Sequence, residues 1–283
     1  MMRTLLVPLA PGLAGEPALD AALSLAKRIH AHIRAVFVRS DPLSALYYLP
    51  PAMATADTQQ LIENEDRKAE EEERARFEAW RSRHGLPAEP ADTRLAACFA
   101  SWSEQIGEIE PVVTRCGRVS DLIVMKRFAS DDVLAQRCLD AALFGSGRPT
   151  MLVPDTLPWD LLDHVLIAWN GSLEASHAVF GTLPLLHEAG RVSVFSVPGP
   201  ENDGATGAEL AEALSWQGIR SHPAIVHDGT GSVGASLLAT AADSGATLIV
   251  MGAYTHSRLR QSFLGGVTRY VLAHSAIPVV MSH

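Results

Sequence analysis

The chain has 283 residues, 47% of them hydrophobic and 19% charged, which is enough for one large domain or two ordinary ones. The formal net charge of -9 excludes a general nucleic-acid binder, because neutralising many phosphates takes clustered Lys and Arg. No apolar run is long enough to span a bilayer, and no signal-peptide pattern opens the sequence. Three cysteines without a CxxC pair fit buried thiols in a reducing compartment. We therefore expect a cytoplasmic protein with no membrane association.

The two halves of the sequence resemble each other in three places, which occur in the same order in both halves. The matching pairs are Thr4–Gly12 with His164–Ser172, Asp121–Met125 with Thr247–Met251, and Arg148–Pro154 with Ile277–His283. Three matches in register indicate an internal duplication. The connector Asp155–Asp160 contains a proline and divides the chain into predicted domains at 1–156 and 161–283.

The first half is longer than the second, and the excess lies between Ser40 and Pro87. It begins with a proline-containing loop at 41–51, and the charged run 57–84 predicts a long helix. The acidic run 70–73 within this helix has two interpretations. It is either a solvated helix face, the simpler one, or a site for a partner.

The second half alternates short apolar strands with helical patterns. The predicted strands are 164–169, 191–197, 221–227, 247–252 and 278–282, and the predicted helices are 173–189, 205–217, 232–244 and 264–275. Apolar strands without alternation predict a parallel sheet that is buried on both faces. The fold class is therefore α/β with a doubly wound sheet, in which ligands bind beyond the carboxyl ends of the strands.

The loop after the fourth strand of the second half has features of a phosphate site. Gly252 ends the strand, and Gly265-Gly266 opens the last helix. Glycines let a backbone come close to a phosphate, and a helix N-terminus offers N–H donors and a favourable dipole. Thr268 adds a hydroxyl and Arg258 adds a positive charge.

This loop resembles the universal stress protein family, whose nucleotide-binding members carry G-x2-G-x9-G-[S/T] at this place. The sequence has Gly252-x2-Thr255-x9-Gly265-Gly266, so the spacing is kept and two letters differ. Val267-Thr268 continues as in the family, and the ending Ser275–Met281 also fits. The resemblance covers nearly the whole chain as two copies and is strongest in the second.

The resemblance implies two flavodoxin-like (adenine nucleotide alpha hydrolase-like) domains in tandem, each a five-stranded parallel sheet of strand order 3-2-1-4-5. Final strands in the family often pair across a dimer. Here that pairing would be internal, between about 150–154 and 278–282, giving a pseudo-dimer of the two halves. A further homodimer is left open.

The resemblance also implies a regulatory or stress-response protein that binds ATP or a related adenine nucleotide in the second domain. The implied binding residues are Ala168, Trp169, Asn170, Gly171, Ser172, Val197, Met251, Gly252, Thr255, His256, Arg258, Gly265, Gly266, Val267 and Thr268. Trp169 has a second interpretation as a core residue. The open alternatives are a nucleotide-independent interaction module and a slow ATPase.

Three substitutions distinguish this pocket from the family pattern. Thr255 replaces the second glycine: if the position needs a positive φ, a β-branched residue is strained there by roughly 1–2 kcal/mol or more, and its side chain would take up phosphate space. Gly266 replaces the Ser or Thr, and Asn170 replaces a carboxylate, which leaves no evident group for ATP hydrolysis. The first half lacks the loop glycine altogether, and its Asp131 and Asp132 would repel phosphate. We predict no catalytic residues and no metal site.

The segment 229–234 has the form G-x-G-x-x-G but follows the third strand. A dinucleotide fingerprint follows the first strand of its unit, with an acidic residue about 20 positions on. We therefore interpret this segment as a turn and a helix start.

Overall fold

The computed structural model describes residues 2–13, 15–42, 46, 49–89, 98–158, 160–196, 205–224, 231–253 and 266–283. The chain folds as two compact units. One is Arg3–Ser146, and the other is Gly147–His283 with Met1–Met2. Among the helices within these ranges, none combines the length and apolar character that a membrane-spanning segment needs.

Within its described residues, the unit Arg3–Ser146 contains four parallel strands. They are β1 (Thr4–Leu9), β2 (His32–Arg39), β3 (Phe99–Ile106) and β4 (Leu122–Lys126). Its helices are α1 (Glu16–Ile29), α2 (Ala56–Arg83), α3 (Ile109–Arg118) and α4 (Val133–Asp140), which a π-helical turn at Ala141–Gly145 extends. Strand β1 pairs with β2 and β4, and β2 pairs with β3. The unit therefore has the strand order β3-β2-β1-β4, with β1 and β4 almost wholly buried.

The second unit contains six strands and five helices within its described residues. The strands are β5 (Thr150–Val153), β6 (His164–Trp169), β7 (Arg191–Ser196), β8 (Ser221–Pro223), β9 (Leu248–Gly252) and β10 (Val279–Ser282). The helices are α5 (Leu173–Gly181), α6 (Leu183–His187), α7 (Gly207–Trp216), α8 (Val233–Ser244) and α9 (Gly266–His274). Parallel pairs join β8 to β7, β7 to β6, β6 to β9 and β9 to β10.

The α/β class with doubly wound, mostly parallel strands is confirmed, and so is the long helix of the first half, at Ala56–Arg83. The predicted single helix over 173–189 was wrong, because α5 ends at Gly181 and α6 begins at Leu183. The hydroxyl of Thr182 donates to the carbonyl of Ala178 at 2.7 Å, and a proline in the first turn of α6 has no N–H to continue α5.

Strand β5 belongs to the first half of the sequence repeat but folds as part of the second unit. It pairs antiparallel with β10, with Leu152 opposite Val279 and Thr150 opposite Met281. The expected internal pairing of the two final strands is therefore present. The domain division between 156 and 161 remains a prediction, since the compact units separate after Ser146.

Candidate functional site

The carboxyl ends of β6 and β9 lie side by side in the second unit. Ala168 pairs with Met251 in the parallel ladder, which brings the end of the first strand next to the end of the fourth. Strand order reverses at this point, because β7 lies on one side of β6 and β9 on the other. A doubly wound sheet binds its ligands at such a position. Two of the segments predicted from sequence thus come together.

The turn after β6 is held by its own polar atoms. The Oδ1 of Asn170 accepts a hydrogen bond from the backbone N–H of Ser172 at 3.2 Å, while Asn170 itself is exposed. Gly171 has a φ of 74°, which a side chain would strain. The hydroxyl of Ser172 accepts from the N–H of Ala175 at 3.1 Å and so caps α5. The turn therefore presents a fixed helix N-terminus at the edge of the sheet.

Gly252 has a packing role that no local pattern in the sequence indicates. A Cβ at this position would lie 2.5 Å from the backbone nitrogen of Ala175 and 2.8 Å from the carbonyl carbon of Glu174. These are main-chain atoms of the first turn of α5, so they cannot move aside as a flexible side chain would. The end of β9 therefore lies directly against the start of α5, and only glycine allows this approach.

Trp169 is a buried residue of this edge. Its side chain is 6% exposed, and its indole N–H donates to the carbonyl of Ala205 at 2.6 Å. Of the two interpretations given above, burial supports the core residue. The bond to Ala205 also ties the end of β6 to the residue two positions before α7. Val197, predicted near this place, lies outside the described residues.

The start of α9 supplies the remaining described part of the predicted loop. Gly266 is exposed, and nothing lies within 4 Å of the position that its Cβ would take. Val267 is half-buried, and Thr268 is only 4% exposed. The hydroxyl of Thr268 is thus on a buried side of the helix. Four predicted binding residues of the loop lie outside the described residues, namely Thr255, His256, Arg258 and Gly265.

Two histidines that are absent from the predicted site lie beside the end of β9. The Nδ1 of His177 on α5 is 3.2 Å from the carbonyl oxygen of His283. The Nδ1 of His283 is in turn 3.3 Å from the carbonyl oxygen of Ala253. Because a carbonyl oxygen only accepts, both rings carry their proton on Nδ1 in these contacts. His177 and His283 are 106 positions apart in sequence, and His283 and Ala253 are 30 positions apart. No local sequence signal predicts contacts between residues so far apart.

The glycine pattern after the third strand has a structural explanation at its described end. A Cβ on Gly234 would lie 3.0 Å from the ring of Tyr270, so this glycine lets α8 approach α9. Ser232 caps α8 through the N–H of Ala235. Both features belong to a turn and a helix start, as interpreted from the sequence.

The corresponding edge of the first unit is built differently. After β1, Leu13 donates its N–H to the carbonyl of Ala10 at 2.9 Å, which closes a tight turn of apolar residues. After β4, the side chain of Asp132 accepts from the N–H of Ala135 and caps α4. The first unit therefore has a carboxylate at the N-terminus of α4. In the second unit, the corresponding helix α9 begins with a glycine.

The order of strands, the crossovers and the polar turn at the switch point define a doubly wound α/β domain. Residues 162–283 match the model of the universal stress protein family. This part of the chain is thus a universal stress protein domain, and the family resemblance is confirmed there.

Solved structures resemble the whole chain. A universal stress protein from Archaeoglobus fulgidus DSM 4304 is 19% identical, with 97% of each chain covered and a TM-score of 0.65. A functionally unknown protein from Pseudomonas aeruginosa PAO1 is 14% identical, with 99% of this chain and 92% of that chain covered and a TM-score of 0.53. At these identities the likeness shows the fold alone. Among curated protein sequences, none matches the chain significantly.

Proposed function

We propose that this protein binds an adenine nucleotide, such as ATP, in its second domain and acts as a cytoplasmic regulatory or stress-response protein. The observation that carries the proposal is the pairing of Ala168 with Met251, which sets the capped turn 170–172 beside Gly252. Helix α9, with the exposed Gly266 at its start, is the next described element after β9. In a universal stress protein domain, these two helix N-termini are the groups that we propose to hold the phosphates.

Binding is proposed for the second domain only. In the first unit, Asp132 places a carboxylate at the N-terminus of α4, where it stabilises the helix and repels a phosphate. A turn of apolar residues takes the place of the polar turn after β1. These features support a structural role, and no nucleotide binding, for the turn after β1 and the start of α4 in the first domain.

A matched pair of variants tests this assignment. Gly266→Asp places a carboxylate at the first position of α9, where space is open and the helix dipole favours negative charge, so the protein should fold normally. ATP and AMP binding measured by titration calorimetry should be lost, because the carboxylate repels the phosphate. Val133→Asp makes the same change at the first position of α4 and should leave binding unaltered. Equal loss in both variants, or in neither, would refute binding in the second domain.

The loop substitution Thr255 is tested separately. If a β-branched residue there strains the loop or fills phosphate space, Thr255→Gly should tighten ATP binding about tenfold, which corresponds to roughly 1.4 kcal/mol. An unchanged dissociation constant would show that the threonine neither strains nor blocks the site.

Two other functions make different predictions. A slow ATPase would release phosphate from bound ATP in a single turnover, and Gly265→Val would abolish the release. A nucleotide-independent interaction module would show no thermal shift with ATP or AMP. The exposed, charged N-terminal two-thirds of α2 is the surface that favours this second alternative.

A further inference from the structure

The face of α2 that points away from its own unit is a continuous exposed row of side chains. Phe77 and Trp80 are the buried residues of this helix, so their side marks the inward face. Side chains spaced three and four positions apart line one face of a helix. The row opposite Phe77 and Trp80 follows this spacing and is exposed at every position. We call it the outward stripe, and it consists of Asp57, Leu61, Glu65, Lys68, Glu72, Ala75, Ala79 and Arg83.

The outward stripe complements its own reverse. When the stripe is turned end to end around position 70, opposite charges meet at two places and apolar residues at a third. The pairs are Lys68 with Glu72, Asp57 with Arg83, and Leu61 with Ala79. The remaining pair, Glu65 with Ala75, brings no like charges together. A parallel copy would instead set Lys68 against Lys68 and Glu72 against Glu72, so charge complementarity selects the antiparallel copy.

The charges of the outward stripe are accessible to a second copy. Lys68 is exposed, and within the described part of the chain it forms no ion pair. Glu72 is 52% exposed and turns toward Arg76, at an N–O distance of 3.6 Å that is longer than a hydrogen bond. Arg83 bonds Glu16 at 3.0 Å, but it is 59% exposed and its guanidinium has further N–H donors.

The apolar residues of the outward stripe fit the same arrangement. Leu61 is 57% exposed and is the one large apolar residue of the stripe. In an antiparallel pair it lies against Ala79 of the second copy, with Ala75 one turn away. Small side chains at these positions let two helices approach to about 8 Å between their axes. Two equivalent leucine–alanine contacts therefore flank the central ion pairs.

We propose that α2 is the contact surface of a homodimer, in which the outward stripes of two copies pack antiparallel with a two-fold axis at position 70. The partner is thus a second copy of this chain. The surface lies in the unit Arg3–Ser146, whereas β5, β10 and the proposed nucleotide site belong to the other unit. Dimerisation through α2 is therefore independent of nucleotide binding.

Charge reversal tests the central ion pairs. Sedimentation of the full chain should show a reversible dimer at micromolar concentrations. Lys68→Glu sets like charges against each other at both copies of the pair and should weaken the dimer about tenfold. Adding Glu72→Lys restores opposite charges across the interface and should restore the dimer. Arg67→Glu is the matched control, because it makes the same charge change at an exposed position outside the stripe. A monomer throughout, equal weakening by the control, or no recovery in the double variant would overturn the proposal.

Cysteine cross-linking tests the orientation of the two helices. A chain with both Leu61→Cys and Ala79→Cys should form disulfide-linked dimers under mild oxidation, because the two positions face each other. Leu61→Cys alone should form none, since the two copies of residue 61 lie about 27 Å apart along the helices. The single variant also controls for the three native cysteines. Cross-linking of Leu61→Cys alone would indicate a parallel pair, and either this result or no link in the double variant would contradict the antiparallel dimer.

Discussion

Substitution of Gly252 by alanine tests the close packing of β9 against α5. The new Cβ would lie 2.5 Å from the backbone nitrogen of Ala175, whereas ordinary contacts begin at 3.4 Å. The difference, 3.4 − 2.5, requires the first turn of α5 to move by about 0.9 Å. Overpacking of this kind typically costs about 1–3 kcal/mol, so the free energy of unfolding should fall by that amount without any nucleotide.

Urea unfolding followed by circular dichroism measures the loss, and amide hydrogen exchange locates it. Exchange should speed up at the start of α5, where Ser172 caps the helix. Gly266→Ala is the matched control, because nothing lies within 4 Å of its new Cβ. If Gly252→Ala unfolds at the same urea concentration as the unaltered protein, the contact with α5 does not explain the glycine.

Three further predictions concern single side chains. Trp80→Phe keeps an aromatic ring but leaves the carboxylate of Asp20 without its indole donor, and should cost about 1–2 kcal/mol in urea unfolding. Ser172→Ala removes the cap of α5 and should cost about 1 kcal/mol by the same measurement. Burial, reinforced by the charge of Arg34, lowers the pKa of His32 to about 4. The unfolded chain therefore binds the extra proton between about pH 6.5 and 4, and stability should fall as the pH drops through this window. In His32→Gln the slope of unfolding free energy against pH should be flatter over that range, and an unchanged slope would contradict the assignment.

The sequence determined most of the secondary structure because periodicity and turn residues are local signals. Strand β6 was predicted at its observed bounds, and α2 was predicted within one residue at each end. The spacing of the phosphate loop predicted the universal stress family, which the match over 162–283 confirms. The exposed Asn170 and the cap at Ser172 also follow from local rules for turns and helix starts.

Only the tertiary structure decided contacts between residues far apart in the chain. The approach of Gly252 to a phosphate stays a prediction, and the structure adds a packing reason for this glycine: a Cβ there would meet main-chain atoms of α5, about 77 residues away in sequence. From the sequence, Trp169 either covers a pocket or fills the core. Its burial and its bond to Ala205 in the structure support the core residue. Gly15 and Glu73 likewise lie close together although they are far apart in sequence, since a Cβ on Gly15 would be 3.4 Å from the Oε1 of Glu73. Local patterns fix which elements form, whereas the packing of those elements fixes which side chains meet and what they can bind.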